Sequence, residues 1–313
     1  MQVELSLVVL GFRNFEATTR GCLESLVPWL MDPEVEVIVV DNGSDDDSAK
    51  RTAAWCAQHP TVRYLPSVSN LGFAGGMNFG VAQAQGAWVV LVNNDTVFPD
   101  GAVDAMKRVV RNVETQVAML GPVTNAAGNG QRLWKHGADH AQWLQIGQWL
   151  NTHPSGELMP AYRCDFFCIA IRTTVWKELG GLDVEFGKGY YEDFDFSLRV
   201  SAAGYRQMIT EDVFVLHLGS ATFKASPAAK ALMKRNKKLL QAKHPQALFE
   251  HTRLGNLTIL QRYQELKTQG QWSPELQARW DLRVGALTGD APRSLLKRWL
   301  WRRKVEKTLQ EQK

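Results

Sequence analysis

Two groups of oxygen-bearing side chains stand beside apolar runs. The first is Asn93-Asn94-Asp95-Thr96, directly after Trp88-Val89-Val90-Leu91-Val92. The second is Tyr190-Tyr191-Glu192-Asp193-Phe194-Asp195, after Gly187-Lys188-Gly189. Asn93 and Asp95 are separated by one residue, so on an extended backbone they point the same way, and oxygen donors suit Mg²⁺ or Mn²⁺. Such a pair can hold a divalent ion against a diphosphate, although an Asn-Asn-Asp-Thr run also makes an ordinary turn. In the second group three carboxylates fall in the first turn of a helix, where the helix dipole favours them without any chemistry. Beside paired tyrosines they also suit a site that binds a hydroxylic partner and accepts its proton. His217 closes a further apolar run, Val213-Phe214-Val215-Leu216. It can complete an oxygen-nitrogen coordination sphere with Asp95, or it can be structural.

The elements that must position these groups alternate along the chain. Val3 to Leu10 reads as a buried strand that breaks at Gly11-Phe12-Arg13-Asn14, and Phe15 to Leu26 as a helix ending before Pro28. Val35 to Val40 is a second strand, closed by Asp41-Asn42-Gly43-Ser44. Strand, helix, strand on this spacing implies a parallel pair with a right-handed crossover, which puts Arg13, Asp41 and Asp95 at one edge. Asp41 and Asn42 there can hold a ribose hydroxyl or a base edge, whereas Asp45, Asp46 and Asp47 with Ser48 read as a helix cap. After a strand at Val62–Leu65 comes Asn70-Leu71-Gly72-Phe73-Ala74-Gly75-Gly76-Met77-Asn78-Phe79-Gly80, ahead of a helix expected over Val81–Ala84. Glycines this dense allow a ligand close to the backbone, and a helix N-terminus offers N–H groups to anionic oxygens. The run is neither a Walker loop nor the dinucleotide fingerprint.

Further on, a helix (Ala102–Arg111) and a strand (Val117–Leu120) precede an insertion over 124–160 with Trp134, Trp143 and Trp149. His136, His140 and His153 within it lack metal spacing. Tyr162–Arg172 reads as a strand with Cys164, Phe166, Cys168 and Ala170 on one face, and the two cysteines as buried small hydrophobes. Arg199, one turn beyond Asp195, can pair with it or meet a diphosphate.

The 313 residues carry a formal net charge of +4, divided unevenly: 20 Lys/Arg against 7 Asp/Glu from Thr222 onward, and 16 against 25 before it. Four cysteines without a CxxC pair, and no charged n-region before an apolar h-region, suit a reducing cytosol. No apolar stretch reaches the roughly 18 residues of a membrane span. Beyond Ser220 the pattern turns helical, over Pro227–His244, Gln246–Lys267, Pro274–Val284 and Pro292–Leu309. Within 293–304, Leu295, Leu296, Trp299 and Leu300 share a face ringed by Lys297, Arg298 and Arg302, the make-up of a helix lying on an anionic membrane or docked on protein.

Taken in order, these features resemble the inverting family 2 glycosyltransferases with the GT-A fold, and within them the rhamnosyltransferase-like group of bacterial surface polysaccharide synthesis. The likeness spans Leu5 to about Ser220. It implies an α/β GT-A domain over 1–221, with a donor half to about 122 and an acceptor half from 123, followed by a basic helical region over 222–313. It implies a nucleotide-sugar donor held by Phe12, Arg13, Asp41, Asn42, Asn70, Gly72, Gly75, Asn78 and Asn94. Asn93, Asp95 and His217 would bind the divalent metal, Asp193 would be the base with Glu192 beside it, and Tyr191 and Asp195 would meet the acceptor. Two departures stand out: Asn93 replaces the first Asp of the Asp-x-Asp metal motif, and Tyr191 stands where many members have Trp. The expected acceptor is lipid-linked or an oligosaccharide, the location cytoplasmic and peripheral on the inner membrane, with no nucleic-acid partner; a homo-oligomer is compatible. dTDP-rhamnose is the first donor to expect, then UDP-sugars. Two alternatives remain, a nucleotidylyltransferase, for which Gly11-Phe12-Arg13 offers little, and a saccharide-binding protein without turnover, which Asn93 keeps open.

Overall fold

The structure, a computed structural model, describes residues 2–219, 227–248, 252–289, 291–292 and 294–310. Ser220, Arg293 and the expected domain junction at 221/222 lie outside the described residues. Along the chain run β1 (Leu5–Gly11), α1 (Arg20–Leu26), β2 (Val35–Asp41), α2 (Ser48–Ala57), β3 (Val62–Pro66), α3 (Gly72–Val81), β4 (Trp88–Asn93) and β5 (Thr96–Val97). Then come α4 (Ala102–Asn112), β6 (Val117–Val123), α5 (His140–Thr152), β7 (Leu158–Pro160), β8 (Cys168–Arg172) and α6 (Thr173–Glu178). The last are α7 (Glu192–Ala202), β9 (Arg206–Phe214), β10 (Leu216–His217), α8 (Pro227–Lys243), α9 (Thr252–Thr268), α10 (Pro274–Gly289) and α11 (Leu295–Gln310).

Eight strands form one sheet in the order β3-β2-β1-β4-β8-β6-β9-β7, and β5 pairs with β10 in a separate ribbon. β1, β2, β3 and β4 are parallel neighbours, as the strand-helix-strand reading requires, whereas β8 inserts antiparallel between β4 and β6. Continuous apolar runs suit strands covered on both faces. One face packs on Leu23 and Leu26 of α1 and Val103 and Met106 of α4, the other on Met77 of α3, Trp176 of α6 and Phe196 of α7.

Three sequence expectations are corrected. The glycine-rich stretch is itself the helix α3, not a loop before one at Val81–Ala84. Its glycines serve packing: a Cβ on Gly80 would come within 2.4 Å of Val8, so the helix lies directly on β1 and β2. The strand expected over Tyr162–Arg172 begins only at Cys168. Cys164 and Phe166 therefore face the cluster opposite to Cys168 and Ala170. Upstream, Arg163 and Asp165 are held off the ladder by bonds to the Gly128 backbone. The strand expected at Val213–Leu216 is the end of β9, which starts at Arg206, followed by the separate β10. It is masked in sequence because Gln207, Thr210, Glu211 and Asp212 are buried polar residues.

Those polar residues are partnered by the basic C-terminal helices. Arg283 bonds to Glu211, both with fully buried side chains, and Arg279 reaches Asp212 at 2.8 Å. Tyr263 also donates to Glu211. Leu257, Leu260 and Tyr263 of α9 and Trp301 and Val305 of α11 share a hydrophobic cluster with Phe214 of β9 and Trp143 of α5. All four cysteines are free and buried. Removing one member of a buried ion pair leaves the other charge unpaired, which costs about 3–5 kcal/mol. Glu211→Ala should therefore lower the unfolding free energy measured by urea titration by an amount in that range, and Glu211→Leu/Arg283→Met should recover most of it.

Candidate active site

β1, β2 and β4 end level, with Gly11 opposite Asp41 and Leu10 opposite Asn93. Asn93 closes β4, and no other described residue engages its side-chain amide. Asn94 donates to the hydroxyls of Thr18 and Thr19, at 3.1 and 2.8 Å, and so faces the helical turn that leads into α1. Asp95 turns back into the protein, 8% exposed, with Oδ1 3.3 Å from Nε2 of His217. The ribbon joins them, pairing Thr96 with His217, and Leu218 N donates to Asp95 O. His217 Nδ1 lies 2.8 Å from the Ala126 carbonyl, and its ring stacks on Phe167. A carbonyl at Nδ1 holds the proton there and leaves Nε2 as the electron-pair donor, the tautomer a metal ligand needs. Burial lowers the His217 pKa, but Asp95 and the Ala126 carbonyl outweigh it and leave it raised. Among the described residues no group of three or more His, Cys, Asp or Glu side chains encloses a metal. Two protein donors with remaining positions open to phosphate oxygens are how Mg²⁺ is commonly held, and Asp95 with His217 fit that set.

The residues expected to hold the nucleotide occupy the same sheet edge in tighter packing than the sequence suggested. Arg13 and Asn14 sit in left-handed conformation, with φ of 56° and 55°. The β2–α2 loop holds them: Ser44 Oγ accepts from Arg13 N, Asp46 from Asn14 N, and Ser48 Oγ from Phe15 N. Arg13 pairs with Asp45 and lies over the ring of Phe12. The acidic run thus anchors a loop, whereas the helix cap expected of it is not made by Asp47, the N-cap residue of α2, whose side chain pairs with Arg51 instead. Asp41 is buried and accepts from Ser44. Asn42 spends both ends of its amide on the start of α3, donating to Gly72 O and accepting from Leu71 N. Asn70 accepts from Gly72 N. Asn78 donates to Leu182 O and accepts from Leu182 N, so its amide is a clamp rather than a free ligand group. Gly72 (φ 74°) approaches Gly187 so closely that a Cβ would lie 2.1 Å from its carbonyl oxygen, while a Cβ on Gly75 would meet Leu71 of its own segment.

That contact brings α3 against the loop leading into α7. Tyr190 and Tyr191 are both left-handed, at φ 72° and 75°. Non-glycine residues hold this conformation only where the surroundings over-determine it. Here the clamp is Asn236 of α8, fully buried, whose Nδ2 donates to the carbonyls of Phe186, Gly189 and Tyr190. Lys243 adds ion pairs to Asp183 and Glu185. The strained pair turns Tyr191, Glu192 and Asp193 into a cleft of about 650 Å³ that Asn93, Phe167 and His217 also line.

Asp195, expected at the acceptor, is not brought to the cleft. It is 2% exposed and gives one oxygen to Arg199 Nε (2.7 Å) and the other to His244 Nε2 (2.8 Å). Arg199, bound also to the Leu179 and Gly181 carbonyls, makes the structural pair with Asp195. The reading of the sequence missed Arg163 and Asp165, which line the cleft beside Asp193 and pair with each other, and gave Lys188 no role of its own. Their one local signal is an Arg-x-Asp spacing just before Phe166-Phe167. Burial, then the charge of Asp165, pushes the half-buried Asp193 up to about 6 against the pull of Arg163. Burial, then the charge of Asp193, pushes Glu192 up to about 8. The Oε2 of Glu192 is buried with no partner among the described residues. A neutral carboxyl beside an ionisable one is an acid–base arrangement.

The profile of the family described as "Glycosyl transferase family 2" matches residues 7–176, more than half of the chain. The chain belongs to that family. The N-acetylglucosaminyl-diphospho-decaprenol L-rhamnosyltransferase of Mycobacterium tuberculosis is 25% identical over 220 residues, covering 62% of this chain and 70% of its own length. Glycosyltransferase GlyG of Streptococcus pneumoniae is 26% identical over 37% of this chain and 38% of its own. Among solved structures, the mannosyltransferase PcManGT of Pyrobaculum calidifontis with GDP-Man and Mn²⁺ superposes with TM-score 0.55 at 16% identity, covering 99% of this chain and 81% of that one. S. aureus TarS residues 1–349 with UDP gives 0.53 at 18%, covering 99% and 92%. The family 2 transferase therefore has the GT-A fold that its motifs imply, followed by C-terminal helices.

Two measurements test the site as built. Unfolded carboxyls lose their protons near 4.5 and 3.8, whereas folded Glu192 and Asp193 keep theirs to about 8 and about 6. Over that window the folded chain binds more protons than the unfolded chain, so stability falls as pH rises. Glu192→Gln should leave Tm near pH 4 little changed and raise it above pH 8. Asn236→Ala frees the three carbonyls, and transfer should drop about tenfold or more in kcat through mispositioning, with the donor KM little changed and Tm reduced.

Proposed function

We propose that this family 2 glycosyltransferase moves a sugar from a nucleoside-diphosphate donor to a hydroxyl of a lipid-linked or oligosaccharide acceptor, with inversion at the anomeric carbon. The observation that carries the reading is the cleft itself, which sets Asp193 and Glu192 in one cavity with Asn93 and His217. dTDP-rhamnose is the first donor to test and UDP-sugars the next, because a relative is named as a rhamnosyltransferase and TarS was solved with UDP. That relative's name also carries a lipid diphosphate acceptor, and together they favour bacterial surface polysaccharide synthesis at the cytoplasmic face of the membrane. On this reading the donor half ends near 122 and the acceptor half near 221.

Mg²⁺ or Mn²⁺ suits Asp95 and His217, with Asn93 beside them; Mn²⁺ accompanies the nucleotide sugar in PcManGT. When bound, the ion supplies positive charge against the departing diphosphate. Asp193, ionised above about pH 6, accepts the proton of the acceptor hydroxyl as its oxygen bonds to C1 and the bond from C1 to the diphosphate breaks. Glu192, neutral below about 8, keeps its proton and leaves Asp193 as the ionised carboxylate available to accept one. Tyr191 offers an aromatic face to a sugar ring. Arg163, paired with Asp165, keeps Asp193 from rising further. The nucleotidylyltransferase alternative lacks a free cation at the first loop, since Arg13 is paired with Asp45.

The decisive comparison uses a panel of nucleotide sugars, scoring nucleoside diphosphate release and thermal shift with and without EDTA. One donor should give metal-dependent release. Asp193→Asn should reduce release by about 10³-fold or more, the scale of losing a general base, while donor-induced thermal shift persists. Retained transfer in this variant would remove Asp193 as the base, and binding without release in the wild type would favour the saccharide-binding alternative.

A further inference from the structure

The helix α11 carries apolar side chains on two opposite faces, and packing accounts for one of them. Trp301 (9% exposed) and Val305 (5%) enter the cluster formed with α9 and α10, and the Trp301 indole donates to Leu287 O. Facing away are Leu295, Leu296, Trp299 and Leu300, exposed by 81, 67, 49 and 52%. At 3.6 residues per turn these four fall within an arc of about 140°. The same outward arc continues into Arg303, whose guanidinium lies over the Trp299 ring at 4.1 Å, with Lys297 and Lys304 along one flank and Arg302 along the other. Leu295–Gln310 holds six basic residues and one acidic one. No helix among the described residues is long and apolar enough to cross a membrane.

We infer that this face of α11 is a docking surface for an anionic lipid bilayer, with the two leucine-tryptophan turns entering the acyl boundary and the cations meeting the headgroups. Charge complementarity selects this occupant. A second copy pairing through the same patch would set its four cations against four, and a nucleic acid would leave three exposed leucines without an apolar partner. Aliphatic and indole groups ringed by Lys and Arg match both layers of an anionic interface. The face is built independently of the cleft, so the inference does not require the transfer reading. It would serve that reading by holding the cleft at the surface where a lipid-linked acceptor lies.

The test is flotation of the full-length protein with vesicles of phosphatidylcholine alone or containing roughly one third phosphatidylglycerol, without donor or acceptor. The protein should float with the anionic vesicles and about tenfold less with the neutral ones, and added salt should weaken binding. Leu296→Glu/Trp299→Glu should abolish flotation, and Arg302→Glu/Lys304→Glu should reduce it on anionic vesicles only, both with circular dichroism and metal-dependent diphosphate release unchanged. Equal recovery on both vesicle types, or flotation unaffected by the Leu296/Trp299 substitutions, would overturn the proposal. So would a dimer by light scattering that those substitutions dissolve, which would assign the face to a second copy.

Discussion

The registration of β1, β2 and β4 is the constraint on which the site depends. All three are covered on both faces, so a slip of one residue would exchange every side chain between two differently packed layers. The core therefore dictates where Gly11, Asp41 and Asn93 end, and the polar edge inherits its geometry from apolar packing. Asn42 N donating to Gly11 O and Ser67 N to Asp41 O carry the ladder past the strand ends. The Asp95–His217 pair, 122 positions apart in sequence, is joined by the same means: a two-residue ribbon and the bond from Leu218 N to Asp95 O. Backbone hydrogen bonds fix this pair, and the His217 tautomer then follows from the carbonyl of Ala126.

The opposite wall of the cleft works against local preference. Two consecutive left-handed tyrosines cost of order 1–3 kcal/mol each, and Glu192 and Asp193, which follow, sit in a helical turn with no salt bridge of their own among the described residues. Arg163 is spent on Asp165 and Arg199 on Asp195, while Glu192 has no partner for Oε2 among the described residues. Asn236 and the contact of Gly72 with Gly187 hold the backbone in this state from two sides. Strain and raised carboxyl values thus occur together, which is where a packed protein keeps groups for proton transfer.

Periodicity exposed the elements whose burial is apolar: the first four strands of the sheet, α4 and α7 stand near where hydrophobic pattern and turn residues put them. Strand ends related Asn93 and Asp95 to His217, and the family resemblance set Asp193 beside them. Sequence pattern failed where polar groups are buried with distant partners. Asp195 resembled a site acid because its partner His244 is 49 residues away, and β9 looked short because Glu211 and Asp212 meet arginines some 70 residues later. Asn42 and Asn78 carry the side chains of ligand-binding residues, yet their amides meet backbone that only the fold brings near. The glycines of α3 were legible as close approach, and the approaching groups in the fold are β1, β2 and the Gly187 loop.

The basic C-terminal region shows why a charge count cannot assign a role. Arg279 and Arg283 belong to the same excess as Arg302, Arg303 and Lys304, yet they are fully buried and satisfy the acids of β9. Arg235, Asn236, Lys243 and His244 of the same region face the 183–195 segment and hold the strained turn. These helices are therefore part of the scaffold of the site and not an appended tail, and their inward charges are already neutralised by it. On α11 an outward set remains to meet a partner, where cations surround exposed leucines and tryptophan instead of carboxylates. Burial divides a uniform sequence signal into a structural half and a surface half, and only the second can attract anything from outside.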